Sequence, residues 1–180
     1  MGNSLLIREL SRKAIHFAGI SYIPAYIYLG KELTALCIAF LILLALFLEV
    51  FRFKYGIFNF LARKEEERSI GAHIYSGIAM LIVTVLFPKN CCFLAAITSF
   101  LGDGVAGIVR LRFPNLASPA MFLSSVLASN FLEIPLSTSI PPALISTIAE
   151  RTKKIRNIRL QDNLTVPVVT AFACFIISLI

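Results

Sequence analysis

Residues 33–51 read LTALCIAFLILLALFLEVF, a stretch in which Glu49 is the only acidic or basic side chain. A helix needs about 20 predominantly apolar residues to cross the hydrocarbon core of a bilayer. This stretch therefore predicts a membrane-spanning helix. It decides the fold class because much of the remaining chain has the same apolar character.

The composition of the whole chain supports this interpretation. Of its 180 residues, 58% are hydrophobic and only 15% are charged, and the mean hydropathy is +0.84. Soluble domains carry about 45–50% apolar and about 25% charged residues, so a single soluble core of this size could not bury the excess. We therefore expect an all-α integral membrane protein in which residues 1–180 form one domain.

Apolar segments recur along the chain and predict a polytopic bundle of about seven transmembrane helices. A cytoplasmic N-terminus would place every lysine and arginine except Lys31 and Lys89 in cytoplasmic segments, which typically carry such an excess. Because no nucleic-acid-binding motif accompanies the net charge of +7, nucleic acid is not expected as a partner. The predicted spans are residues 14–29, 33–51, 70–87, 90–109, 116–132, 134–149 and 164–180.

The cysteines and the second histidine are predicted to have structural roles. All four cysteines lie in apolar stretches without metal-ligand spacing to a histidine, so we expect small buried residues and no disulfide framework. His73 lies just inside the third predicted span and is expected to pack at the membrane interface. The cysteines are Cys37, Cys91, Cys92 and Cys174.

A basic cluster precedes the first predicted span. On a helix, Arg8, Arg12 and His16 would share one face, because they are four residues apart. Glu9 and Lys13 have the same spacing and would pair. Arginines bind phosphate oxygens in a bidentate manner, and a histidine can bind phosphate or transfer a proton, so this face suits a polyphosphate. The alternative is an ordinary basic flank of a transmembrane helix.

Asp103 lies inside the fourth predicted span, seven residues before Arg110 and therefore about 10 Å from the end of that helix. An ionisable group at such depth indicates a functional site. Gly102, Ala106 and Gly107 make the helix thin, so that another backbone or a ligand could approach closely. A carboxylate near phosphates suits Mg²⁺. The alternative is an aspartate paired with an arginine for structural reasons.

Three other polar segments lie close to the predicted spans. Glu49 is costly in lipid unless it is paired, and Arg52 is its expected partner three residues along the helix. Residues 63–68, RKEEER, predict either a solvated helix face or part of a phosphate site. Asp162 and Asn163 begin the last predicted span, where they would cap the helix, take part in a site, or do both.

Taken together, these segments resemble the family of CTP-dependent polyprenol and lipid kinases. That family contains dolichol kinase, phytol kinase and the yeast-type diacylglycerol kinase, and it is related to phosphatidate cytidylyltransferases. The similarity covers nearly the whole chain in the order found in the family. The matching stretches are ELSRKAIH (9–16), EVFR (49–52), RKEE (63–66) leading to Gly71 and Gly77, GD (102–103) and DNLTVP (162–167).

The resemblance implies a multi-helical membrane enzyme that uses CTP with Mg²⁺ or another divalent cation. Asp103 would be the metal ligand and a catalytic residue, together with Lys13 and His16. The residues implied to contact the nucleotide are Arg12, Lys13, Glu49, Arg52, Arg63, Glu66, Asp162 and Asn163.

The chain departs from the family pattern after the Gly-Asp segment. The family usually has a stretch like Lys-Ser-x-Glu-Gly-Ser there, whereas residues 113–122 read FPNLASPAMF. The lysine, the acidic residue and its glycine are missing, and only Ser118 and the following Ala-Met-Phe look similar. This difference implies a divergent member, an inactive one, or one with a different lipid substrate.

The function implied by the resemblance is that of a lipid-alcohol kinase. It would transfer the γ-phosphate of CTP to an isoprenoid alcohol of the dolichol or polyprenol type, or to another hydroxyl lipid, on the cytoplasmic side of the membrane. The first alternative is a CDP-lipid synthase of the phosphatidate cytidylyltransferase type. The second is a transporter or a non-catalytic membrane subunit, although the chain shows no repeated halves.

Overall fold

The computed structural model describes residues 13–14, 16–55, 70–152, 154–155, 158–159 and 161–180. Apart from turns and one short antiparallel ladder, these residues are helical, which confirms the predicted all-α class. The α-helices are α1 (Tyr22–Tyr55), α2 (Ala72–Leu86), α3 (Lys89–Ala96), α4 (Asp103–Arg110), α5 (Ala117–Phe131), α6 (Leu136–Arg151) and α7 (Asp162–Ser178). The other elements are 3₁₀-helices Gly19–Ser21 and Pro114–Leu116, a π-helix Ile97–Gly102, β1 (Lys154–Ile155) and β2 (Ile158–Arg159).

Helix α1 folds back at Gly30. The backbone there has φ 77° and ψ 176°, a conformation that glycine adopts readily and other residues do not. On either side of the break, Tyr22 shares a 2.9 Å hydrogen bond with Thr84, and Ile42 packs against Gly77. These two points on α2 are about 10 Å apart, whereas Tyr22 and Ile42 would be about 30 Å apart on a straight helix. Both arms of α1 therefore run along α2. The arms are residues 22–29 and 31–55.

The helix Lys89–Arg110, which joins α3, the π-helix and α4, runs antiparallel to the first arm and the residues before it. The rings of Tyr26 and Phe93 meet edge to face, with centroids 5.4 Å apart. Near the other end, Lys13 contacts Asp103. The residues before the 3₁₀-helix Gly19–Ser21 and the start of α4 therefore lie side by side, although 90 residues separate them in sequence.

Helix α7 also packs antiparallel to the helix Lys89–Arg110. The Sγ atoms of Cys91 and Cys174 are 2.6 Å apart, and the Thr98 hydroxyl donates a 3.2 Å hydrogen bond to Thr170. Hydroxyl contacts of this kind join helices where apolar burial alone gives little specificity. They fix the register of α7 against the α3 to α4 segment.

The prediction of buried cysteines is correct for three of the four. Cys91, Cys92 and Cys174 lie in the main core, with relative exposures of 0–1%. Cys37 is exposed, so the prediction is wrong for this residue. The reason is that the second arm of α1 turns a wide apolar face away from the other helices. An apolar neighbourhood in sequence therefore did not mean burial within the protein.

That outward face exposes many large apolar side chains. Leu36, Phe40, Leu43 and Phe47 are each 59–66% exposed, along with many neighbours on the same arm. Contiguous exposed patches larger than a few hundred Å² are rare on soluble monomers and indicate contact with a membrane or with another protein.

Two described helices are long and apolar enough to cross a membrane, His16–Tyr55 and Lys89–Arg110. The first is divided by the break at Gly30. Helices α2, α5, α6 and α7 contain 15–17 residues and would span about 22–26 Å, less than the roughly 30 Å of a hydrocarbon core. Each of the seven predicted segments overlaps a helix, but the count of seven spans is not confirmed.

The antiparallel packing brings many charged side chains to one end of the bundle, which we call the polar end. The opposite end contains the break at Gly30 and the turn between α2 and α3, where Lys31 donates a hydrogen bond to the carbonyl of Phe87. Helices α5, α6 and α7 also pack with one end at the polar end, since Ala117, Ala149 and Val166 share a small core there with Ala106 of α4. The polar end is defined by Lys13, His16, Glu49, Arg52, Asp103, Arg110, Glu150 and Asp162.

Candidate functional site

Asp103 is the first residue of α4 and follows directly on the six-residue π-helix Ile97–Gly102. π-Helical segments are rare and are often found at functional sites. The hydroxyls of Ser99 and Ser125 near this segment are buried, and no described residue supplies a hydrogen-bond partner for them. The π-helical backbone and the two buried hydroxyls therefore favour a functional site around Asp103.

The carboxylate of Asp103 lies between two cationic or proton-carrying side chains. Lys13 Nζ donates to Asp103 Oδ2 and to the Asp103 carbonyl oxygen, each at 3.2 Å. His16 Nε2 is 3.0 Å from the same Oδ2, without the alignment of a good hydrogen bond. The exposures of the Lys13, Asp103 and His16 side chains are 12%, 22% and 17%. The three side chains are therefore mostly buried, but they remain accessible to solvent or to a ligand.

Lys13 and His16 can come this close to Asp103 because one face of α4 carries small residues. A Cβ atom at Gly107 would overlap Cε of Lys13, so the lysine side chain lies across a position that only glycine leaves open. A Cβ atom at Gly104 would lie 2.8 Å from the ring of Phe17 in the same way. The small residues do allow a close approach here, but the atoms that come close belong to the side chains of Lys13 and Phe17 and not, as predicted, to another backbone or a ligand.

Glu49 and Arg52 form a second, buried group. Arg52 donates to Glu49 Oε2 through Nη2 at 2.6 Å and through Nε at 3.0 Å, which confirms the predicted pairing. Their side chains are only 5–6% exposed. His73 Nε2 lies 3.8 Å from the other oxygen, Oε1, while its side chain is 53% exposed. His73 therefore sits at the rim of the Glu49–Arg52 pair instead of packing fully.

A third pair, between Arg110 and Glu150, was not predicted. Arg110 Nη2 is 2.6 Å from Glu150 Oε1, with the arginine 42% exposed and the glutamate 4% exposed. The sequence contained one signal, since Glu150 directly follows the apolar segment 134–149. The predicted span ends just before Glu150 and therefore assigns no role to this residue.

The remaining predicted residues are dispersed or lie outside the described part of the chain. Asp162 is the first helical residue of α7, and its Oδ1 accepts the amide of Asn163 at 2.9 Å. The N-cap residue is Gln161, which makes no side-chain capping bond, so neither Asp162 nor Asn163 occupies the predicted cap position, although Asp162 does accept one backbone amide of the first turn. The negative charge of Asp162 still favours the N-terminus of α7. Arg8, Glu9, Arg12, Arg63 and Glu66 lie outside the described residues.

The described side chains around Asp103 do not form a metal site on their own. Within the described ranges, no three His, Cys, Asp or Glu side chains come together as ligands. The Oδ2 atom of Asp103 faces Lys13 and His16, which compete with a metal ion for that oxygen. Mg²⁺ takes most of its ligands from substrate phosphates in many sites, so it remains a prediction for the nucleotide complex.

The segment that departs from the family pattern adds no charged group. Pro114–Leu116 forms an exposed 3₁₀-helix, and α5 begins at Ala117. Ser118 is buried, and Met121 is fully buried against Gly102, so the part of this segment that looks similar to the family packs beneath the candidate site.

Comparison with known proteins gave no match: no protein-family model, no curated protein and no solved structure is similar to this chain.

Proposed function

We propose that the protein is a membrane-embedded lipid-alcohol kinase that transfers the γ-phosphate of CTP to an isoprenoid alcohol or another hydroxyl lipid. The observation that carries the proposal is the meeting of Lys13 and His16 with Asp103 at the polar end. These residues belong to two separate motifs of the family resemblance. In this proposal, Lys13 would bind phosphate and the carboxylate beside it would accept a proton.

Phosphoryl transfer depends mainly on positioning and on neutralising the charge of the phosphates. Lys13 Nζ would move from Asp103 Oδ2 to a γ-phosphate oxygen when CTP binds as its Mg²⁺ complex. The freed carboxylate of Asp103, assisted by His16, would orient the lipid hydroxyl and accept its proton. The hydroxyl oxygen forms the new bond to the γ-phosphorus, and the bond to the β-phosphate oxygen breaks, releasing CDP.

The surroundings of the site suit a lipid acceptor. The second arm of α1 presents an exposed apolar face, and only 11% of its most apolar window is buried within the protein. The helix that carries Asp103 is itself of membrane-spanning length. A lipid chain in the bilayer could lie beside these helices with its hydroxyl at the polar end, while CTP enters from water.

The same proposal includes a polytopic arrangement with the polar end in the cytoplasm. Arg52, Arg110 and Arg151 lie at the polar end or at helix ends leading to it, whereas Lys31 and Lys89 lie at the opposite end. This distribution agrees with the excess of basic residues in cytoplasmic segments. The shorter helices would be accommodated by burial among their neighbours or by local thinning of the bilayer.

The decisive experiment follows the phosphates of CTP. The purified full-length protein is incubated with Mg²⁺ and CTP labelled at either the γ- or the α-phosphate, with isoprenoid alcohols, diacylglycerol and phosphatidate offered in turn. A kinase transfers the γ-label to lipid and releases CDP. Release of pyrophosphate with transfer of the α-label would instead identify a CDP-lipid synthase, and binding without any transfer would indicate a non-catalytic protein.

Gly107→Ala is expected to reduce lipid phosphorylation by about tenfold to a hundredfold, because the new Cβ displaces Lys13 from its position beside Asp103. Lys13 is flexible at its far end, so the protein should remain folded. Gly77→Ala is the matched control, since its Cβ would press on Ile42 in another part of the bundle. Wild-type turnover in folded Gly107→Ala would show that this position of Lys13 is not needed.

A further inference from the structure

We infer that Arg110 is a second phosphate ligand of the site and that Glu150 is the residue that positions it. The inference rests on the proposed function, because it extends the phosphate-binding part of the same site. It concerns two residues that the sequence motifs do not include.

The first argument is the alignment of residues along α4. Asp103, Gly107 and Arg110 are spaced at i, i+4 and i+7, so they lie on one face of the helix. Lys13 lies across Gly107, between the other two. A phosphate chain bound by Lys13 could therefore extend along this face to Arg110, about 10 Å from Asp103 along the helix axis.

The second argument is the unequal burial of the Arg110–Glu150 pair. An ordinary surface ion pair has two exposed partners and contributes little to stability. Here the Glu150 side chain is 4% exposed, whereas that of Arg110 is 42% exposed. The buried carboxylate holds one Nη atom at 2.6 Å, and the exposed remainder of the guanidinium can still receive an anion. A guanidinium presents several N–H donors in a fixed plane, which suits bidentate phosphate binding.

The third argument is the position of Glu150 at the end of α6. Ala149, the residue before it, packs with Ala106 of α4 and Val166 of α7, so the backbone that carries Glu150 is fixed by the small core at the polar end. The backbone position of Glu150 is thus fixed next to its contact with Arg110. An arginine fixed in this way loses less conformational freedom when it binds a ligand.

The test measures binding and folding separately from turnover. Affinities of the full-length protein for CTP, for inorganic tripolyphosphate and for cytidine are measured by equilibrium dialysis, and thermal unfolding is recorded for each variant. Arg110→Gln should weaken CTP and tripolyphosphate binding about tenfold or more, because a charge-assisted contact is lost, and should leave cytidine binding unchanged. Arg110→Lys should restore part of the affinity. Arg112→Gln, on the exposed neighbouring arginine, should change it by less than about twofold.

The exchanged pair Arg110→Glu with Glu150→Arg separates a phosphate ligand from a structural ion pair. The exchange keeps the attraction, so thermal stability should recover relative to either single variant, whereas tripolyphosphate binding should stay weak. The inference is overturned if the exchange restores phosphate binding, if Arg110→Gln binds like the wild type, or if the wild type binds neither CTP nor tripolyphosphate. If phosphate binding depends on Arg110 but no lipid is phosphorylated, only the kinase proposal is refuted. If lipid is phosphorylated and substitution of Arg110 has no effect on this activity, only the present inference is refuted.

Discussion

Replacing Asp103 with Asn is expected to lower the rate of lipid phosphorylation by about 10²–10⁴-fold. Asparagine keeps the size and planar shape of the side chain but cannot accept the proton of the lipid hydroxyl. It also removes the negative charge that holds Lys13 Nζ at 3.2 Å and His16 Nε2 at 3.0 Å. Both the proton acceptor and the arrangement of the cations around it are therefore lost in one substitution.

The measurement is turnover of γ-labelled CTP in the presence of the preferred lipid alcohol, with circular dichroism and thermal unfolding on the same samples. Glu133→Gln is the matched control, because it makes the same carboxylate-to-amide change on an exposed residue at the opposite end of the bundle. This control should phosphorylate lipid at the wild-type rate. Full activity in folded Asp103→Asn would remove Asp103 from the mechanism.

The helical class and the positions of the helices could be predicted from local sequence alone. Long apolar runs and their charged ends indicate where helices begin and end, so the predicted spans and the observed helices largely coincide. It was also predictable that Asp103 has a partner, since an acidic residue within an apolar helix is costly unless it is paired. Identifying that partner required tertiary structure, because Lys13 and His16 lie about 90 residues earlier in the chain.

Other features had no signal strong enough to be read from the sequence. The reversal at Gly30 falls at the boundary between the predicted spans 14–29 and 33–51, but the sequence did not show that both arms of α1 pack along α2. The contact between Cys91 and Cys174 depends on the register of α7 against α3, which is set by packing. Glu150 is paired with Arg110 only because α4 and α6 both end at the polar end. In each case the missing information is the relative placement of helices.

Replacing Glu49 alone with Ala is expected to lower the free energy of unfolding by about 3–5 kcal/mol, because it breaks a buried, hydrogen-bonded ion pair by removing one of its partners. The pair qualifies as buried, since its two side chains are 5–6% exposed and are joined by hydrogen bonds of 2.6 and 3.0 Å. Unfolding is followed by denaturant titration in mixed micelles. Glu32→Ala, at an exposed position on the same arm of α1, should change the free energy of unfolding by less than about 0.5 kcal/mol.

The double variant Glu49→Met with Arg52→Leu addresses whether Arg52 binds phosphate, as the family resemblance implies, or serves the fold. A buried ion pair replaced by apolar side chains of similar volume is often neutral or stabilising, so this variant should recover most of the stability lost in Glu49→Ala. Because the Arg52 side chain is only 5% exposed and donates to Glu49 through two nitrogens, we expect the double variant to bind CTP with unchanged affinity. A stable double variant with weakened CTP binding would contradict this expectation and place Arg52 beside Lys13 in the phosphate site.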